Sequence, residues 1–285
     1  MDGITVVVCT RNVRDLLERN LPVIRRNVPR FEILVVDGDS TDGTCEVAAK
    51  FADKVISDEG RGLAYARHLG IMNASHPYVL FCGPDNTITE GLANRLRDAL
   101  KGDAKLAGVA PQTRVLNKST YWERTTGAFF RHFINRVGPV AVIGTPCMYK
   151  RDVILKVPYD VSIRSAGDDT DLALRLHEAG YTLAIIDAYS DEDMPLDRSA
   201  FIARWRWYGK GDAEFYAKHR SRWTWKRCLR SLMHPLYSYG IRATWVLLSR
   251  GVPQYIPGFY VAVWARYAGW IARARELREV TAPEG

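Results

Sequence analysis

Polar side chains follow three apolar runs in the N-terminal half of the chain, where they could bind one ligand together. Thr10 and Arg11 come after the first run, Asp37 and Asp39 after the second, and Asp85 after the third. Hydroxyls and carboxylates can hydrogen-bond a nucleoside, a guanidinium can neutralise a diphosphate, and a carboxylate can hold a hard divalent cation. All of these residue types are also common in turns and helix caps. Their recurrence after successive runs favours a shared ligand site.

The apolar runs are the strands that would carry these residues. We predict buried strands over Ile4–Cys9, Phe31–Val36 and Tyr78–Cys82, separated by helices over Val13–Asn27, Thr41–Phe51 and Leu63–Asn73. Alternating strands and helices indicate βαβ units and a mostly parallel sheet. Ligands bind such sheets beyond the carboxyl ends of the strands, which would bring the three polar groups together.

The pattern weakens after residue 100 but keeps an α/β character. Further strands are predicted over Leu106–Pro111, Ala141–Tyr149 and Thr182–Ile186, the last followed by an acidic loop over Asp187–Asp193. A clear amphipathic helix is predicted over Gly167–Gly180, with Asp168 and Asp169 at its N-terminus. The chain therefore has one α/β catalytic domain, which we place at residues 1–197.

The remainder of the chain differs sharply in charge. Residues 198–278 contain sixteen Lys and Arg against three Asp and Glu, although the whole chain has a net charge of only +8. Seven of the eight tryptophans also lie there. Basic residues interleaved with Trp suit either anionic lipid headgroups or nucleic acid. We define residues 198–230 as a basic, Trp-rich amphipathic segment.

Two apolar stretches follow, Leu232–Ser249 and Gly251–Ala272, and Arg242 and Arg266 interrupt them. Their length suits a membrane span, but an Arg within a span costs roughly 3 kcal/mol. Residues 231–285 are therefore predicted to be membrane-associated or membrane-spanning helices, interfacial in character with one marginal span. The alternative is a soluble helical subdomain packed on the catalytic domain.

Five sequence pieces together resemble family-two glycosyltransferases with the GT-A fold. They are VVVCTRN (6–12), VVDGDSTDGT (35–44), GRGLAYARHLGI (60–71), YVLFCGPDNTI (78–88) and GDDTDLALRLHEAG (167–180). The resemblance implies an α/β GT-A catalytic domain, Rossmann-like with a mostly parallel sheet, and the tail adds C-terminal interfacial or transmembrane helices. The chain resembles in particular polyprenyl-phosphate and lipid-linked mannosyltransferases and a minimal cellulose-synthase-like enzyme.

The resemblance implies a donor site for a nucleotide-diphosphate sugar. Asp37 and Asp39 match the acidic turn that binds the nucleoside, and Thr10 and Arg11 would lie beside it. Arg67, one turn into the helix that follows Gly60-Arg61-Gly62, matches a position that faces the donor, and Arg61 lies six residues before it. The two arginines could instead be solvated surface charges.

The resemblance also implies a divalent metal, Mg or Mn, bound by Asp85. The family usually has a second acid two residues earlier, and this chain has Gly83 there. Asn86, Thr87 or a carboxylate from Asp187–Asp193 could complete the coordination.

In the family, an acidic doublet at a helix N-terminus supplies the base that deprotonates the acceptor hydroxyl. Asp168-Asp169 matches this doublet, and we assign Asp169 as the base with Asp168 and Asp171 as rivals. Repulsion between neighbouring carboxylates raises one pKa, whereas the helix dipole lowers it. Helix capping is the alternative role of the same acids, and capping and catalysis do not exclude each other.

Arg204-Trp205 partly matches the QxxRW motif of cellulose-synthase-like enzymes, which contacts the donor diphosphate. Phe201 stands where that motif has Gln. A charged amphipathic helix explains the pair nearly as well.

These observations predict an inverting glycosyltransferase that moves a hexose, taken as mannose from GDP-mannose, to a polyprenyl phosphate or a lipid-linked oligosaccharide. Five cysteines without a CxxC pair indicate a reducing compartment, and the basic, Trp-rich tail indicates a membrane. We therefore expect a membrane-bound enzyme with its catalytic domain on the cytoplasmic side. One alternative is a transferase with a soluble acceptor. Another is a nucleic-acid-binding protein using the basic tail, which we disfavour because the acidic residues after the strands would repel phosphate backbones.

Overall fold

The computed structural model describes residues 3–193 and 195–281. Its nine strands within these ranges are β1 (Ile4–Thr10), β2 (Glu32–Asp37), β3 (Lys54–Ser57), β4 (Tyr78–Cys82), β5 (Asn86–Thr87), β6 (Leu106–Val115), β7 (Gly138–Val140), β8 (Cys147–Lys150) and β9 (Thr182–Glu192). They form one sheet in the order β3-β2-β1-β4-β8-β6-β9-β5, and β7 pairs with β9.

The helices lie between and after these strands. They are α1 (Arg14–Asn27), α2 (Thr44–Ala49), α3 (Leu63–Asn73), α4 (Leu92–Lys101), α5 (Tyr121–Phe129), α6 (Arg151–Lys156), α7 (Asp168–Glu178), α8 (Arg198–His219), α9 (Trp225–Pro235), α10 (Arg242–Ser249) and α11 (Ile256–Thr281). Two π-helical segments, Phe130–Ile134 and Leu236–Ile241, continue α5 and α9.

The first half of the sheet is the parallel, doubly wound arrangement that the sequence predicts. Strands β2, β1 and β4 run in the same direction, with β3 parallel to β2 at the edge. Strands β1, β2 and β4 are runs of mostly buried residues because helices cover both faces, whereas the edge strand β3 contains no buried residue. On one face β1 packs against α1 and α4, and on the other the sheet packs against α3 and α7. The predicted α/β fold is confirmed.

The second half of the sheet is mixed and differs from the predicted boundaries. Of the predicted strand Ala141–Tyr149 only the last three residues are strand, because β8 starts at Cys147 after a non-strand stretch that contains Pro146, which lacks a backbone donor. The predicted acidic loop Asp187–Asp193 is instead mostly strand. It stays extended because β6 continues beside β9 as its parallel partner as far as Glu192.

The C-terminal helices α8 and α11 pack against each other in a close crossing. A Cβ on Gly209 would overlap the carbonyl oxygen of Arg266, and one on Gly269 would overlap that of Arg206. Helix α8 begins at Arg198, where the charge balance of the chain changes, and Asp197 caps it by accepting the Ala200 N–H at 2.8 Å.

Across residues 3–193 and 195–281, no helix has both the length and the hydropathy needed to cross a bilayer. The apolar stretches predicted at Leu232–Ser249 and Gly251–Ala272 correspond to parts of the α9–α10 segment and of α11. The division of the chain at residues 197 and 230 stays a prediction.

The glycine crossing generates a stability prediction. Gly209→Ala should lower the free energy of unfolding by roughly 1–3 kcal/mol, because the added methyl group meets backbone that cannot rotate away. Thermal unfolding measures it. Gly102→Ala is the matched control, since its Cβ would have no neighbour closer than 3.7 Å and its backbone is already helical. An unchanged melting temperature for Gly209→Ala would contradict the crossing.

Candidate active site

The carboxyl ends of β1 and β2 form one side of the candidate site. Thr10 lies opposite Asp37 in the parallel register, and its hydroxyl donates to Asp37 Oδ1 at 3.0 Å. Ser40 donates to the same carboxylate from its backbone N–H at 2.8 Å and from its hydroxyl at 2.7 Å. Burial acts to raise the pKa of Asp37, but the hydrogen bonds from Ser40 and Thr10 outweigh it and the pKa is lowered. Asp37 is therefore a fixed, ionised acceptor.

The turn after β2 presents two further predicted residues to solvent. Asp39 is exposed and has a left-handed backbone with φ of 61°. A Cβ on Gly38 would lie 3.2 Å from the Thr10 carbonyl oxygen and from Arg11 Cβ, so glycine lets the two loops lie together. Arg11 is exposed beside this turn. Asp39 and Arg11 are thus placed where a ligand at the strand ends would meet them.

A buried acid at the end of β3 was missed by sequence reasoning. Asp58 donates its backbone N–H to the Asp37 carbonyl at 2.8 Å and accepts the Gly60 N–H at 2.8 Å. Burial raises its pKa. Its position directly after a strand was the available signal. Arg61, in the same loop, is exposed and stacks over the Tyr65 ring at 3.6 Å.

Arg67 joins α3 to the acidic doublet at the start of α7. Its Nη1 contacts Asp168 Oδ2 at 2.5 Å and Asp169 Oδ1 at 2.7 Å, and its Nη2 donates to Thr145 Oγ1 at 2.8 Å. The guanidinium and Asp168 are almost completely buried. The alternative that Arg67 is a solvated surface charge is therefore wrong.

The start of α7 is fixed by glycine-to-glycine contact with α8. A Cβ on Gly167 would lie 2.7 Å from the carbonyl oxygen of Gly211. Just before it, Glu214 of α8 accepts the backbone N–H groups of Arg164 and Ser165, each at 3.0 Å. Helix α8 therefore sets the position from which the acidic doublet projects.

Asp169 is the more accessible member of that doublet. Its side chain is 20% exposed, whereas that of Asp168 is 1% exposed. Among the described residues, Arg67 is its one hydrogen-bond donor, and this donor uses Oδ1 only. Burial raises the pKa of Asp169 to about 6, with Asp168 adding to the rise and Arg67 opposing it. A carboxylate with one oxygen available and a pKa of about 6 suits a general base near neutral pH.

Asp171, the other candidate for the base, is already paired with three basic side chains. It is fully buried and contacts Arg175 at 2.8 Å, Lys218 at 2.6 Å and His219 Nε2 at 2.7 Å. These partners lower its pKa despite its burial. Asp171 therefore anchors α7 to the end of α8, a role that the sequence did not indicate.

Asp85 lies at the carboxyl end of β4, on the other side of the candidate site. A Cβ on Gly83 would overlap Asp85 Oδ1 and lie 2.8 Å from Asn86 Oδ1, so a second acid at residue 83 would require these two side chains to move. Asn86 pairs with Glu192 across β5 and β9, which brings a second carboxylate beside Asp85. Burial and repulsion from Glu192 raise the pKa of Asp85 to about 6.

Arg204 neutralises this acidic pair. It binds Glu192 through Nη1 at 2.8 Å and Nη2 at 3.4 Å, and Tyr208 accepts from its Nε at 2.9 Å. Its charge also acts to lower the pKa of Asp85. Arg204 is therefore brought to the end of β4, although it lies 119 positions later in the sequence.

Trp205 has a different environment from Arg204. It is buried and packs against Phe129, Tyr208 and Tyr239, with ring centroids 5.1–5.6 Å apart. Its packing stabilises the α8–α11 helical layer, and its predicted contact with the donor stays a prediction.

Within the described residues, no three His, Cys, Asp or Glu side chains form a metal-binding group. Magnesium is commonly bound by only one or two carboxylates, with phosphate oxygens and water completing its shell. Asp85 and Glu192 fit that pattern, since burial and the charge of Glu192 raise the pKa of Asp85 and a bound cation would offset the repulsion between the two carboxylates.

The sheet, the acidic strand ends and the helix-borne carboxylate together define a GT-A glycosyltransferase domain. Residues 5–157 match the family model described as Glycosyl transferase family 2, and the chain belongs to that family.

Two curated relatives are similar over part of the chain. A poly-β-1,6-N-acetyl-D-glucosamine synthase of Staphylococcus aureus is 26% identical over 198 residues, which are 64% of this chain and 48% of the synthase. The glycosyltransferase GlyA of Streptococcus pneumoniae is 34% identical over 101 residues, 33% of this chain and 14% of GlyA. The chain thus spans about half the length of the synthase it matches.

Solved structures show the same fold. The mannosyltransferase PcManGT of Pyrobaculum calidifontis superposes with a TM-score of 0.58 at 18% identity, covering 98% of this chain and 81% of that one. Residues 1–349 of S. aureus TarS superpose with a TM-score of 0.53 at 15% identity, covering 99% and 93%.

The environments of Asp168 and Asp169 generate a prediction. Asp169→Asn should reduce kcat by about 10²–10⁴-fold and leave donor affinity within a few-fold, because a general base acts in the transition state. Steady-state kinetics and donor titration measure the two effects. Asp152→Asn, at an exposed acid on α6, is the control. Retention of most of kcat in Asp169→Asn would place the base elsewhere.

Proposed function

We propose that the protein is an inverting glycosyltransferase that moves a hexose from a nucleotide-diphosphate sugar to an acceptor hydroxyl or phosphate. The observation that carries this proposal is the state of Asp169, which has a pKa of about 6, a fixed position at the N-terminus of α7 and one oxygen without a hydrogen-bond partner among the described residues. The family membership supports it.

The chemistry requires a single displacement. Asp169 Oδ2 accepts the proton of an acceptor hydroxyl, or of a singly protonated acceptor phosphate, as the acceptor oxygen attacks the anomeric carbon. The bond from that carbon to the diphosphate oxygen breaks, and the nucleoside diphosphate leaves from the opposite face. One displacement inverts the anomeric configuration. The environment of Asp169 supports this assignment, since its other oxygen is held by Arg67 and the carboxylate cannot rotate freely.

The donor would bind across the ends of β1, β2 and β4. Asp37 and Thr10 would shape the nucleoside pocket, with Asp39 and Arg11 at its edge. Arg204 is the cation next to Asp85 and would face the diphosphate, with Arg61 as a further candidate in the loop after β3. We take the donor as GDP-mannose, for which support comes from PcManGT, whose structure is described in complex with GDP-Man and Mn²⁺.

A divalent cation, Mg²⁺ or Mn²⁺, would be held by Asp85 with Glu192 beside it. When bound, such a cation neutralises charge on the diphosphate. The raised pKa of Asp85 supports this assignment, because a carboxylate destabilised by its neighbour gains most from a cation.

The acceptor would be lipid-linked, a polyprenyl phosphate or a lipid-linked oligosaccharide, used at the cytoplasmic side of a membrane. Support comes from the basic, Trp-rich helices that follow the catalytic domain, since Lys, Arg and Trp are enriched at lipid interfaces. The competing proposal is a soluble acceptor, as in the glucosyl-3-phosphoglycerate synthase of Mycobacterium tuberculosis, which superposes with a TM-score of 0.51 at 16% identity.

The proposed metal role makes Asp85 the residue to test. Asp85→Ala should lower kcat/KM for the donor by on the order of 100-fold and remove its response to divalent metal, because the cation acts in both ground and transition states. The measurement is initial rate against Mn²⁺ and Mg²⁺ concentration. Asp98→Ala, at an exposed position on α4, is the control. Equal activity of the parent protein in EDTA and in Mn²⁺ would contradict the metal role.

The acceptor proposal is tested by matched transfer assays. Radiolabelled GDP-mannose, UDP-glucose and UDP-N-acetylglucosamine would each be offered with polyprenyl phosphate in detergent and with 3-phosphoglycerate in buffer. We expect label in the organic phase with GDP-mannose and polyprenyl phosphate. Label only in the aqueous phosphoglycerate product would establish the soluble-acceptor alternative. Transfer to the lipid from a UDP-sugar but not from GDP-mannose would support the lipid acceptor and contradict mannose as the transferred sugar.

A further inference from the structure

A stripe of large apolar side chains lies exposed along the segment from α9 to α10. It consists of Trp225, Leu229, Met233, Tyr237, Ile241 and Trp245, spaced every four residues. Each of them is at least 44% exposed, and the two terminal tryptophans are 71% and 76% exposed. We call these six residues the α9–α10 face. Contiguous exposed apolar surface of this kind marks an interaction site.

The π-helical segment between the two helices keeps this stripe on one side. A four-residue step overshoots one α-helical turn by about 40°. The same step falls short of one full turn of the wider π-helix. The π-helical segment Leu236–Ile241 therefore rotates the stripe back, opposite to its rotation along α9. From Pro235 onward the opposite side of the segment faces the protein, where Pro235, Ala243 and Leu247 are buried. The segment therefore has one protein side and one open side.

Exposed basic residues lie on the same segment. Lys226, Arg227, Arg230, Arg242 and Arg250 are all exposed, and residues 220–250 contain no Asp or Glu. Lys226 Nζ lies 5.8 Å from the Trp225 ring. A helix with aromatic and aliphatic residues on one side and Lys or Arg beside them has the chemistry of a helix that lies in a membrane interface.

We propose that the α9–α10 face inserts shallowly into an anionic lipid surface, with the helix axis parallel to the bilayer. The aliphatic and aromatic side chains would enter the acyl boundary, and the arginines would contact lipid phosphates. The proposal deepens the lipid-linked acceptor in the proposed function, because it says which surface brings the catalytic domain to that acceptor. Lipid binding itself needs no donor and no catalysis.

Two other occupants fit the face less well. A second copy of this chain would bring two strongly basic faces together in an isologous contact, and like charges would repel. Nucleic acid would attract the arginines, but Leu229, Met233 and Ile241 cannot stack with bases as aromatic side chains do. An anionic bilayer surface would attract the basic residues and also bury the aliphatic side chains.

Vesicle flotation of the full chain, without donor or acceptor, tests the proposal. We expect binding to mixed phosphatidylcholine and phosphatidylglycerol vesicles that exceeds binding to phosphatidylcholine alone. Leu229→Ser combined with Trp245→Ser should weaken the partition coefficient by on the order of tenfold or more, because apolar burial is lost. Leu155→Ser, at a 40% exposed leucine on α6, is the matched control and should bind as the parent does.

The electrostatic part is tested by charge reversal. Arg227→Glu with Arg230→Glu should weaken binding to the anionic vesicles, since each basic residue near such a surface contributes about fivefold. Arg26→Glu with Arg30→Glu is the control pair, because both arginines are exposed at the end of α1 and the net charge changes equally. Donor-induced thermal stabilisation of every variant verifies that each is folded and keeps the donor site.

Equal flotation of the face variants and the parent protein would overturn the proposal, as would a parent that floats with neither kind of vesicle. A parent dimer that Leu229→Ser and Trp245→Ser convert to monomer would instead assign the face to a second copy. Loss of transfer with normal flotation would overturn the proposed function and leave the lipid-binding face standing.

Discussion

The buried ion pair between Arg67 and the acidic doublet is the interaction on which the site depends. Arg67 belongs to α3, whereas Asp168 and Asp169 begin α7, 101 and 102 residues later. One guanidinium therefore fixes two elements of the sheet's helical layer and holds two neighbouring carboxylates close together. Removing it would leave two acids in a buried position, and breaking such a pair costs about 3–5 kcal/mol. The charge that stabilises the doublet also orients the proposed base.

Helix α8 gives the same region a second support and connects it to the tail. It contacts Gly167 through Gly211, binds the preceding loop through Glu214, and anchors Asp171 through Lys218 and His219. At its other end Arg204 reaches Glu192 beside Asp85. The basic segment is therefore physically joined to both sides of the candidate site, and the α9–α10 face continues from it. A membrane contact at that face would hold the catalytic domain at a fixed distance from the lipid surface.

Much of the fold could be predicted because its signals are local. The strands β1, β2 and β4 are continuous buried runs, and α7 has an apolar stripe behind an acidic N-terminus. The reach of β9 to Glu192 depends on its pairing with β6, which no local pattern reveals. The same is true of the Glu192–Arg204 pair and of the burial of Trp205, since both arise from how α8 packs. The site residues that follow β1, β2 and β4 were predicted, whereas Asp58 after β3 and the partners that shift the pKa values of these acids were not.

Titration of the aspartate side chains most directly tests the claim that Asp169 is a poised base. Carbon-13 NMR of aspartate carboxyls, compared between the parent protein and Asp169→Asn, isolates the signal that the substitution removes. The account predicts that this signal titrates with a pKa of about 6, because burial and the neighbouring Asp168 outweigh Arg67. A signal that titrates near the ordinary aspartate pKa of 3.8 would contradict it.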